Sequence, residues 1–399
     1  MVKKSTEPYI STYMHQKGRR LGLPIAGNFE LTARCNFNCP MCYVHMSEEQ
    51  VAASGRELTA AQWLQIAQDA KDRGMIFVLL TGGEPLVRKD FFEIYRGMKK
   101  MGLLISINSN GYLLQGAILE EFLKDPPFRF NISLYGGCNE TYKNMCGIEA
   151  YDRVKENIRA LRAAGVEVSL NLSITPYNCG DLAQIYADAE ELGVNVKASS
   201  YMYPSVRVNG EQFGCGNRLS ATEAARYSVE WDALRFSEEE FALRAENMLQ
   251  RVAEAQQAQV AQSSGQAAEA VVQTSGSNAE LQDGCPVEVG EGVTCRAGST
   301  SFWMTWDGKM LPCGMMTTPV VYPLEVGFDV AWDQLRAATA AIRTPKECLS
   351  CDHKELCGVC AAVSFTETGR FDGVPKYVCA KTREQVRYTQ EIYEERMKR

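Results

Sequence analysis

Short apolar segments alternate with amphipathic stretches from residue 29 to residue 201, and this alternation constrains the fold more than any other feature of the 399-residue chain. Within 60–73, for example, Trp63, Ile66 and Ala70 recur at the spacing of one helix face. Strands and helices of these lengths in alternation form parallel sheets joined by crossover helices. The pattern predicts an α/β fold, a partial (β/α)6 TIM-like barrel. We expect strands at 29–32, 76–81, 103–108, 129–134, 166–174 and 194–201, and helices at 60–73, 90–101, 116–123, 151–163 and 181–192.

Two motifs follow the first two predicted strands. Cys35, Cys39 and Cys42 have the spacing CxxxCxxC, and Gly82-Gly83-Glu84-Pro85 comes directly after the apolar run 75–80. Three thiols so spaced can bind one face of a cubic iron–sulfur cluster and leave its fourth iron open to a substrate or cofactor. Both motifs lie where barrel enzymes collect their functional residues, at the carboxyl ends of strands. The alternative is a zinc knuckle, which needs a fourth ligand, and His45 is the candidate nearby.

In this order and context the two motifs resemble the signature of the radical S-adenosylmethionine (SAM) enzymes. The resemblance implies that Cys35, Cys39 and Cys42 are the catalytic cysteines that hold a [4Fe–4S] cluster. SAM then chelates the open iron and is cleaved to methionine and a 5′-deoxyadenosyl radical. The cofactor supplies the chemistry and the protein orients it.

The same resemblance implies the residues that bind SAM. Gly82 and Gly83 allow close backbone approach, Glu84 faces the SAM ammonium, and Pro85 fixes the turn. The chain departs from the family in two places: Met41 stands where an aromatic residue is common, and Met145 stands where an Arg often pairs with the SAM carboxylate. Lys143 and Arg153 are candidate replacements for that Arg. The other predicted contacts are Met41, Ser109, Asn110 and Ser133.

Eight of the fifteen cysteines lie between Cys285 and Cys379. Cys295 and Cys313 flank Asp307-Gly308, a hairpin-turn dipeptide, so a hairpin would return Cys313 towards Cys295. The spacings resemble the SPASM domain, with one departure, since Cys357 and Cys360 are separated by two residues rather than three. The resemblance implies two auxiliary [4Fe–4S] clusters, and a zinc ribbon is the alternative. One cluster would take Cys348, Cys351, Cys357 and Cys379, and the other Cys295, Cys313, Cys360 and, as candidate fourth ligand, Cys285.

The remaining cysteines, Cys138, Cys146, Cys179 and Cys215, are interpreted as small hydrophobic residues. Cys138 follows the fourth predicted strand, so hydrogen-atom donation is the alternative role for it. We divide the chain into an N-terminal segment (1–25), the radical SAM barrel (26–205), a bridging region with a flexible insertion (206–284) and the small cysteine-rich domain (285–390).

Composition narrows the partners and the compartment. The formal charge of −7 argues against nucleic acid as a partner. No export signal or membrane-length apolar run is present, so we expect a cytoplasmic protein that does not bind membranes. Fifteen cysteines in a reducing compartment are better explained by metal clusters than by disulfides.

Residue 314 bears on the reaction. The sulfatase maturases, which the chain resembles more distantly, carry an Asp base at the position of Gly314. The hypothesis that remains is maturation of a ribosomally made peptide by a thioether or carbon–carbon crosslink or a related modification. The alternatives are a small-molecule substrate or oxidation of a protein side chain. The expected partners are the peptide, with a separate leader-recognition protein as one option, and an electron donor such as flavodoxin or ferredoxin.

Overall fold

The computed structural model describes residues 7–44, 46–204, 217–263 and 292–398. Six parallel strands pair in the order β6-β5-β4-β3-β2-β1, so the predicted partial barrel is confirmed. His45, Cys215, Cys285 and the parts of the bridging region at 206–216 and 264–284 lie outside the described residues. The strands are β1 Ala26–Glu30, β2 Phe77–Thr81, β3 Leu104–Ser109, β4 Arg129–Ser133, β5 Val168–Ser173 and β6 Asn195–Ser199.

Five crossover helices cover the outer face of these strands and match the predicted amphipathic stretches. In α3 a capping box between Thr59 and Gln62 begins the helix, and Trp63 is fully buried with its ring 5.2 Å from that of Phe29. Each helix therefore contributes one apolar stripe to a single core against the sheet. The helices are α3 Ala60–Asp72, α4 Phe91–Lys100, α5 Gly116–Lys124, α7 Tyr151–Ala163 and α8 Leu182–Leu192.

A short helix that the sequence pattern did not predict, α6 Asn139–Cys146, lies between β4 and α7. Its buried residues include Tyr142, Met145 and Cys146, spaced three and one apart on its inner face. The backbone carbonyl of Cys146 accepts a hydrogen bond from the N–H of Asn38 at 3.1 Å. This helix thereby braces the loop that carries the CxxxCxxC cysteines.

The hairpin predicted around Asp307-Gly308 is present, and it extends the barrel sheet. Strand β7 Ser301–Met304 pairs in parallel with β1, and β8 Met310–Leu311 returns antiparallel to β7. Gly308 has φ +91° at the turn, a conformation that favours glycine. The cysteine-rich region is therefore joined to the barrel through one eight-stranded sheet.

The other helices pack around this sheet. In one group α9, α10 and α14 meet through Val229, Phe241 and Ala245. Helix α10 lies within the bridging region at 206–284. No helix in the described part of the chain combines the length and apolarity needed to cross a membrane. The remaining bounds are α1 Glu7–Leu21, α2 Glu48–Ser54, α9 Ala221–Arg235, α10 Glu238–Ser263, α11 Pro323–Val326, α12 Phe328–Ala340, α13 Ala361–Thr368 and α14 Lys376–Met397.

Candidate active site

Cys35, Cys39 and Cys42 lie in the loop between β1 and α2, at the carboxyl end of the first strand. The Sγ of Cys35 accepts hydrogen bonds from the N–H of Phe37 at 3.4 Å and from Nδ2 of Asn110 at 3.7 Å. The N–H of Cys42 donates to the carbonyl of Cys39 at 3.1 Å. All three thiols are partly buried, so the loop holds them in one place at the barrel mouth.

The thiols interact with one another and with their surroundings. Burial raises the pKa of the Cys35 thiol to about 12, and the charges of Glu84, Cys42 and Cys39 add to that rise. A hydrogen bond with Cys146, followed by burial, raises the pKa of Cys39. Thiols bind metal as thiolates, so iron must offset these shifts. Three converging thiols with no fourth protein thiol in their CxxxCxxC loop fit a cluster with one open iron.

Gly82 and Gly83 let the loop after β2 touch the cysteine loop. The N–H of Gly83 donates to the carbonyl of Thr32 at 2.8 Å, and the N–H of Glu84 donates to that of Arg34 at 2.9 Å. Gly82 has φ +146°, and a Cβ on either glycine would overlap the backbone oxygen of Thr32 or of Arg34. The backbone contact therefore requires glycine at both positions.

Glu84 is fully buried, and its carboxylate joins the loops after β2 and β3. It accepts hydrogen bonds from the N–H of Asn110 at 2.7 Å, the N–H of Leu86 at 3.1 Å and the hydroxyl of Ser109 at 3.1 Å. Burial raises its pKa to about 7, against the opposing effect of these hydrogen bonds. The sequence did not reveal this bracing role, and contact between Glu84 and the SAM ammonium stays a prediction.

The other predicted SAM contacts lie at the same edge of the sheet. Ser109 ends β3, Asn110 follows it, and Ser133 ends β4. Met41 is buried in the barrel core, and Pro85 begins a single 3₁₀ turn. The structure places these residues together at the barrel mouth, and their contacts with SAM stay predictions.

The two candidate partners for the SAM carboxylate differ in their contacts. The ammonium of Lys143 pairs with Glu149 at 2.8 Å on the exposed face of α6. The guanidinium of Arg153 lies 4.2 Å from the ring centre of Tyr112, which follows Asn110 by two residues. Met145 is buried, and its Sδ is 3.8 Å from the hydroxyl oxygen of Thr175. Arg153 is therefore the candidate whose contacts lead back to the β3 loop.

The described C-terminal cysteines fall into two groups around one cavity of about 340 Å³. Burial raises the pKa of Cys348 to about 11, and the charges of Cys379, Cys357 and Cys351 add to it. In the other group, burial and the thiols of Cys360, Cys313 and Cys295 raise the pKa of the Tyr203 hydroxyl. This arrangement follows the division that the resemblance implied, and the ligand assignments stay predictions, including that of Cys285.

Three features of the site were missed by sequence reasoning. Cys146 contacts Cys39, although it was interpreted as an inert hydrophobic residue. Tyr203 follows β6 and hydrogen-bonds to Cys360, and no sequence motif marks it. His353 and Asp352, joined at 2.6 Å, stand beside Cys351 and form with it a cluster of three side chains that could ligate a metal. The adjacency of Cys351, Asp352 and His353 was visible in the sequence and could have drawn attention to this cluster.

Comparison with known proteins identifies one domain of the chain. The sequence profile of the Radical SAM superfamily matches residues 29–189, which span both motifs and the strands that carry them. Residues 29–189 therefore form a radical SAM domain. Its cofactors are SAM and [4Fe–4S] clusters, in agreement with the prediction from the motifs.

Relatives at the sequence level differ in how much of the chain they share. The AdoMet-dependent heme synthase of Methanosarcina barkeri is 27% identical over 351 residues, which are 86% of this radical SAM chain and 93% of the synthase. A probable GTP 3',8-cyclase of Saccharolobus islandicus is 36% identical over 179 residues. That match covers 44% of this chain and 56% of the cyclase, so it is confined to part of each protein.

Two solved structures share the fold over nearly the whole chain. Streptococcus suis SuiB bound to its precursor peptide SuiA superposes with a TM-score of 0.62 at 17% identity, covering 95% of this chain and 82% of SuiB. The protein anSMEcpe with bound AdoMet gives a TM-score of 0.62 at 14% identity, covering 93% and 98% of the two chains. At these identities the likeness shows the fold, including the C-terminal cysteine-rich part.

Proposed function

We propose that this radical SAM enzyme is a peptide maturase. It abstracts hydrogen from a ribosomally synthesised peptide and installs a thioether or carbon–carbon crosslink or a related modification. One observation carries the proposal: two groups of C-terminal thiols lie against a radical SAM barrel to which they are joined by a continuous sheet. The superposition on SuiB with its precursor peptide supports it.

In this proposal the chain's own residues bind and orient the cofactors. Cys35, Cys39 and Cys42 hold the cluster that supplies one-electron cleavage of SAM. The glycine pair sets the distance between the cysteine loop and the β2 loop, and Glu84 fixes the β3 loop beside them. The barrel mouth positions substrate near the reacting atoms, since proximity directs which hydrogen is removed. The C-terminal thiols hold two auxiliary clusters that serve the substrate step.

Gly314 bears on the choice of reaction. A Cβ at this position would lie 2.8 Å from the indole ring of Trp303, and the N–H of that indole donates to the carboxylate of Glu30 at 2.8 Å. The Asp base of the sulfatase maturases would therefore have to displace Trp303. This packing supports a reaction other than the sulfatase-maturase oxidation, although anSMEcpe shares the fold.

A second candidate is a radical SAM/SPASM enzyme that acts on a small molecule. The observation that favours it is the match to a heme synthase along 86% of this chain and 93% of the synthase. The match to a probable GTP 3',8-cyclase covers only 44% of this chain and adds little to the choice.

The deciding experiment is anaerobic incubation of the reconstituted enzyme with SAM and a reductant such as reduced flavodoxin or ferredoxin. One sample receives the peptide encoded beside the gene, in particular a short Cys-, Trp- or Lys-rich one, and another receives a heme precursor. A loss of two hydrogens from the peptide by mass spectrometry, dependent on Cys35, supports the maturase. Turnover of the heme precursor in one sample, with the peptide unchanged in the other, would instead support the second candidate function.

A further inference from the structure

A cavity of about 790 Å³ lies between α1 and the turn at 294–301, and we call it the α1 cavity. Its walls include Arg19 on α1 and Arg296 in the turn. No aspartate or glutamate is among the described residues that line it. The protein as a whole carries a formal charge of −7, so this cationic lining departs from the general character of the chain.

Arg19 is held in place by the turn opposite it. Its guanidinium donates to the backbone carbonyls of Thr294 at 3.2 Å and Cys295 at 2.7 Å. Arg296 is the next residue and is exposed to the cavity. Both arginines therefore line one cavity, and an Arg side chain can bind carboxylates in a bidentate manner.

His15 also lines the cavity. Its ring is buried, and Nδ1 is 2.7 Å from the hydroxyl oxygen of Thr300. Burial, followed by the charges of Arg296 and Arg19, lowers the pKa of His15 to about 4. The ring is therefore neutral near pH 7, and the cavity's charge comes from the two arginines.

The cavity reaches the interior of the barrel and the cysteine-rich region. Asn28 of β1 and Trp303 of β7 form part of its inner wall, and Cys295 and Cys313 form another part. Asn28 also lines a second cavity of about 230 Å³ between the barrel strands, whose wall includes Arg129 and Lys197. A ligand in the α1 cavity would thus lie between the barrel and one of the predicted auxiliary clusters.

We propose that the α1 cavity binds carboxylate groups of the enzyme's substrate, with Arg296 and Arg19 as the cationic contacts. This inference rests on the proposed function, because it names the chemistry by which the same enzyme recognises its substrate. The carboxylates come either from acidic residues of a peptide or from a polycarboxylate small molecule. Charge recognition here places the substrate between the barrel and the cysteine-rich region.

The test measures binding to the anaerobically reconstituted, full-length enzyme. The probes are a fluorescent (Glu-Gly)4 peptide with its (Lys-Gly)4 counterpart, and a tetracarboxylate porphyrin with its tetramethyl ester. Arg296→Glu reverses one cavity charge, and Gln16→Glu adds a negative charge on the α1 wall, away from Cys295. Arg20→Glu is the matched control, because Arg20 is an exposed residue of α1 that does not line the cavity. Iron content is measured for each variant.

We expect one acidic probe to bind at least about tenfold more tightly than its uncharged or basic counterpart. Arg296→Glu and Gln16→Glu should each lower the affinity for that probe at least about tenfold. Arg20→Glu should change the affinity by about twofold at most, as for a surface charge. If the Arg296→Glu variant loses iron, the affinity of the Gln16→Glu variant for the acidic probe tests the proposal instead. The inference is overturned if neither acidic probe is preferred, or if Arg20→Glu weakens binding as much as the cavity variants.

The two acidic probes also separate the sources of the carboxylates. Preference for the peptide indicates acidic residues, and preference for the porphyrin indicates a polycarboxylate small molecule. Because the readout is binding, the result does not depend on turnover. Carboxylate binding without peptide modification would leave this inference standing and refute the maturase proposal, whereas modification of a peptide without carboxylate preference would do the reverse.

Discussion

Glu84 lies where the loops after β2 and β3 meet, and its buried carboxylate makes the fold sensitive to pH. Its pKa is about 7 in the folded protein, against an ordinary value of 4.5. A carboxyl whose pKa is raised by folding stabilises the fold below the unfolded value and loses that contribution as the pH rises through the folded value. The affected range is therefore about pH 4.5 to about pH 7.

For the apoprotein we expect the free energy of unfolding to fall by about 3 kcal/mol across this range, relative to Glu84→Gln. Urea unfolding of both proteins at several pH values measures the difference, because other titrating groups cancel. Parallel pH profiles for the two proteins would show that burial does not raise the pKa of Glu84.

In the reconstituted enzyme, Glu84→Gln should bind SAM roughly 10- to 100-fold more weakly with iron content unchanged if Glu84 faces the SAM ammonium.

Gly83 tests the contact between the two loops. A Cβ at Gly83 would displace the backbone at Ala33 and Arg34, directly before Cys35. We expect Gly83→Ala to lower stability by about 1–3 kcal/mol and to reduce 5′-deoxyadenosine formation. Gly180→Ala is the control, because a Cβ there meets no atom within 4 Å. Equal activity of the two variants would show that the loop contact does not position SAM.

At the residue scale, the sequence was a better guide to which residues form the site than to the contacts that those residues make. The spacing of Cys35, Cys39 and Cys42 was sufficient to predict their convergence, because all three lie in one loop. The Cys39–Cys146 contact joins residues more than 100 positions apart, through a helix that the periodicity did not indicate. Such contacts depend on tertiary packing, which local patterns do not encode.

Strand β7 is the element that links the two parts of the molecule. The sequence predicted its hairpin, since a turn dipeptide and flanking apolar residues are local signals. Its parallel pairing with β1 was not predicted, because that pairing joins residues about 275 apart through a long crossover. The boundary proposed at 285 therefore separates sequence segments whose strands belong to one sheet.

Phe302 of β7 tests whether these parts unfold together. Its ring is fully buried, with its centre 6.0 Å from Phe29, 5.4 Å from Phe328 and 6.0 Å from Trp332. Phe302→Ala should lower the free energy of unfolding by about 3–5 kcal/mol. Circular dichroism and tryptophan fluorescence should report the same single unfolding transition, shifted by the substitution. Val330→Ala, at a residue 50% exposed on α12, should cost about 0.5 kcal/mol or less. If unfolding shows two transitions and Phe302→Ala shifts only one of them, the cysteine-rich region is an independent unit.

At the scale of the whole molecule, the iron content per chain tests how many clusters the cysteines hold. Three [4Fe–4S] clusters hold about 12 irons per chain. Replacing Cys35, Cys39 and Cys42 by Ala should remove about a third of that iron and all SAM cleavage. Reconstituted protein with only about four irons, or with zinc, would exclude the auxiliary clusters.

The predicted auxiliary clusters should be separable from SAM cleavage, because their thiols lie outside the loop that carries Cys35, Cys39 and Cys42. Cys348→Ala should lose one auxiliary cluster and all peptide product while it retains some uncoupled formation of 5′-deoxyadenosine. Iron analysis and product assays on the same sample distinguish this from general unfolding. Loss of SAM cleavage together with full retention of the other clusters would instead place Cys348 in the path of electrons to SAM.

Cys285 completes this test, because the second group of described thiols provides only three predicted ligands, Cys295, Cys313 and Cys360. If Cys285 is the fourth ligand, Cys285→Ala should lose or destabilise that cluster, and Cys179→Ala, at a cysteine outside both groups, should not. Full iron and full turnover in Cys285→Ala would mean that the cluster has an open or non-cysteine position. An open iron beside the barrel can bind a substrate thiolate. Crosslinking through a peptide cysteine would then become the favoured reaction, and peptides with that cysteine changed to Ser should no longer be modified.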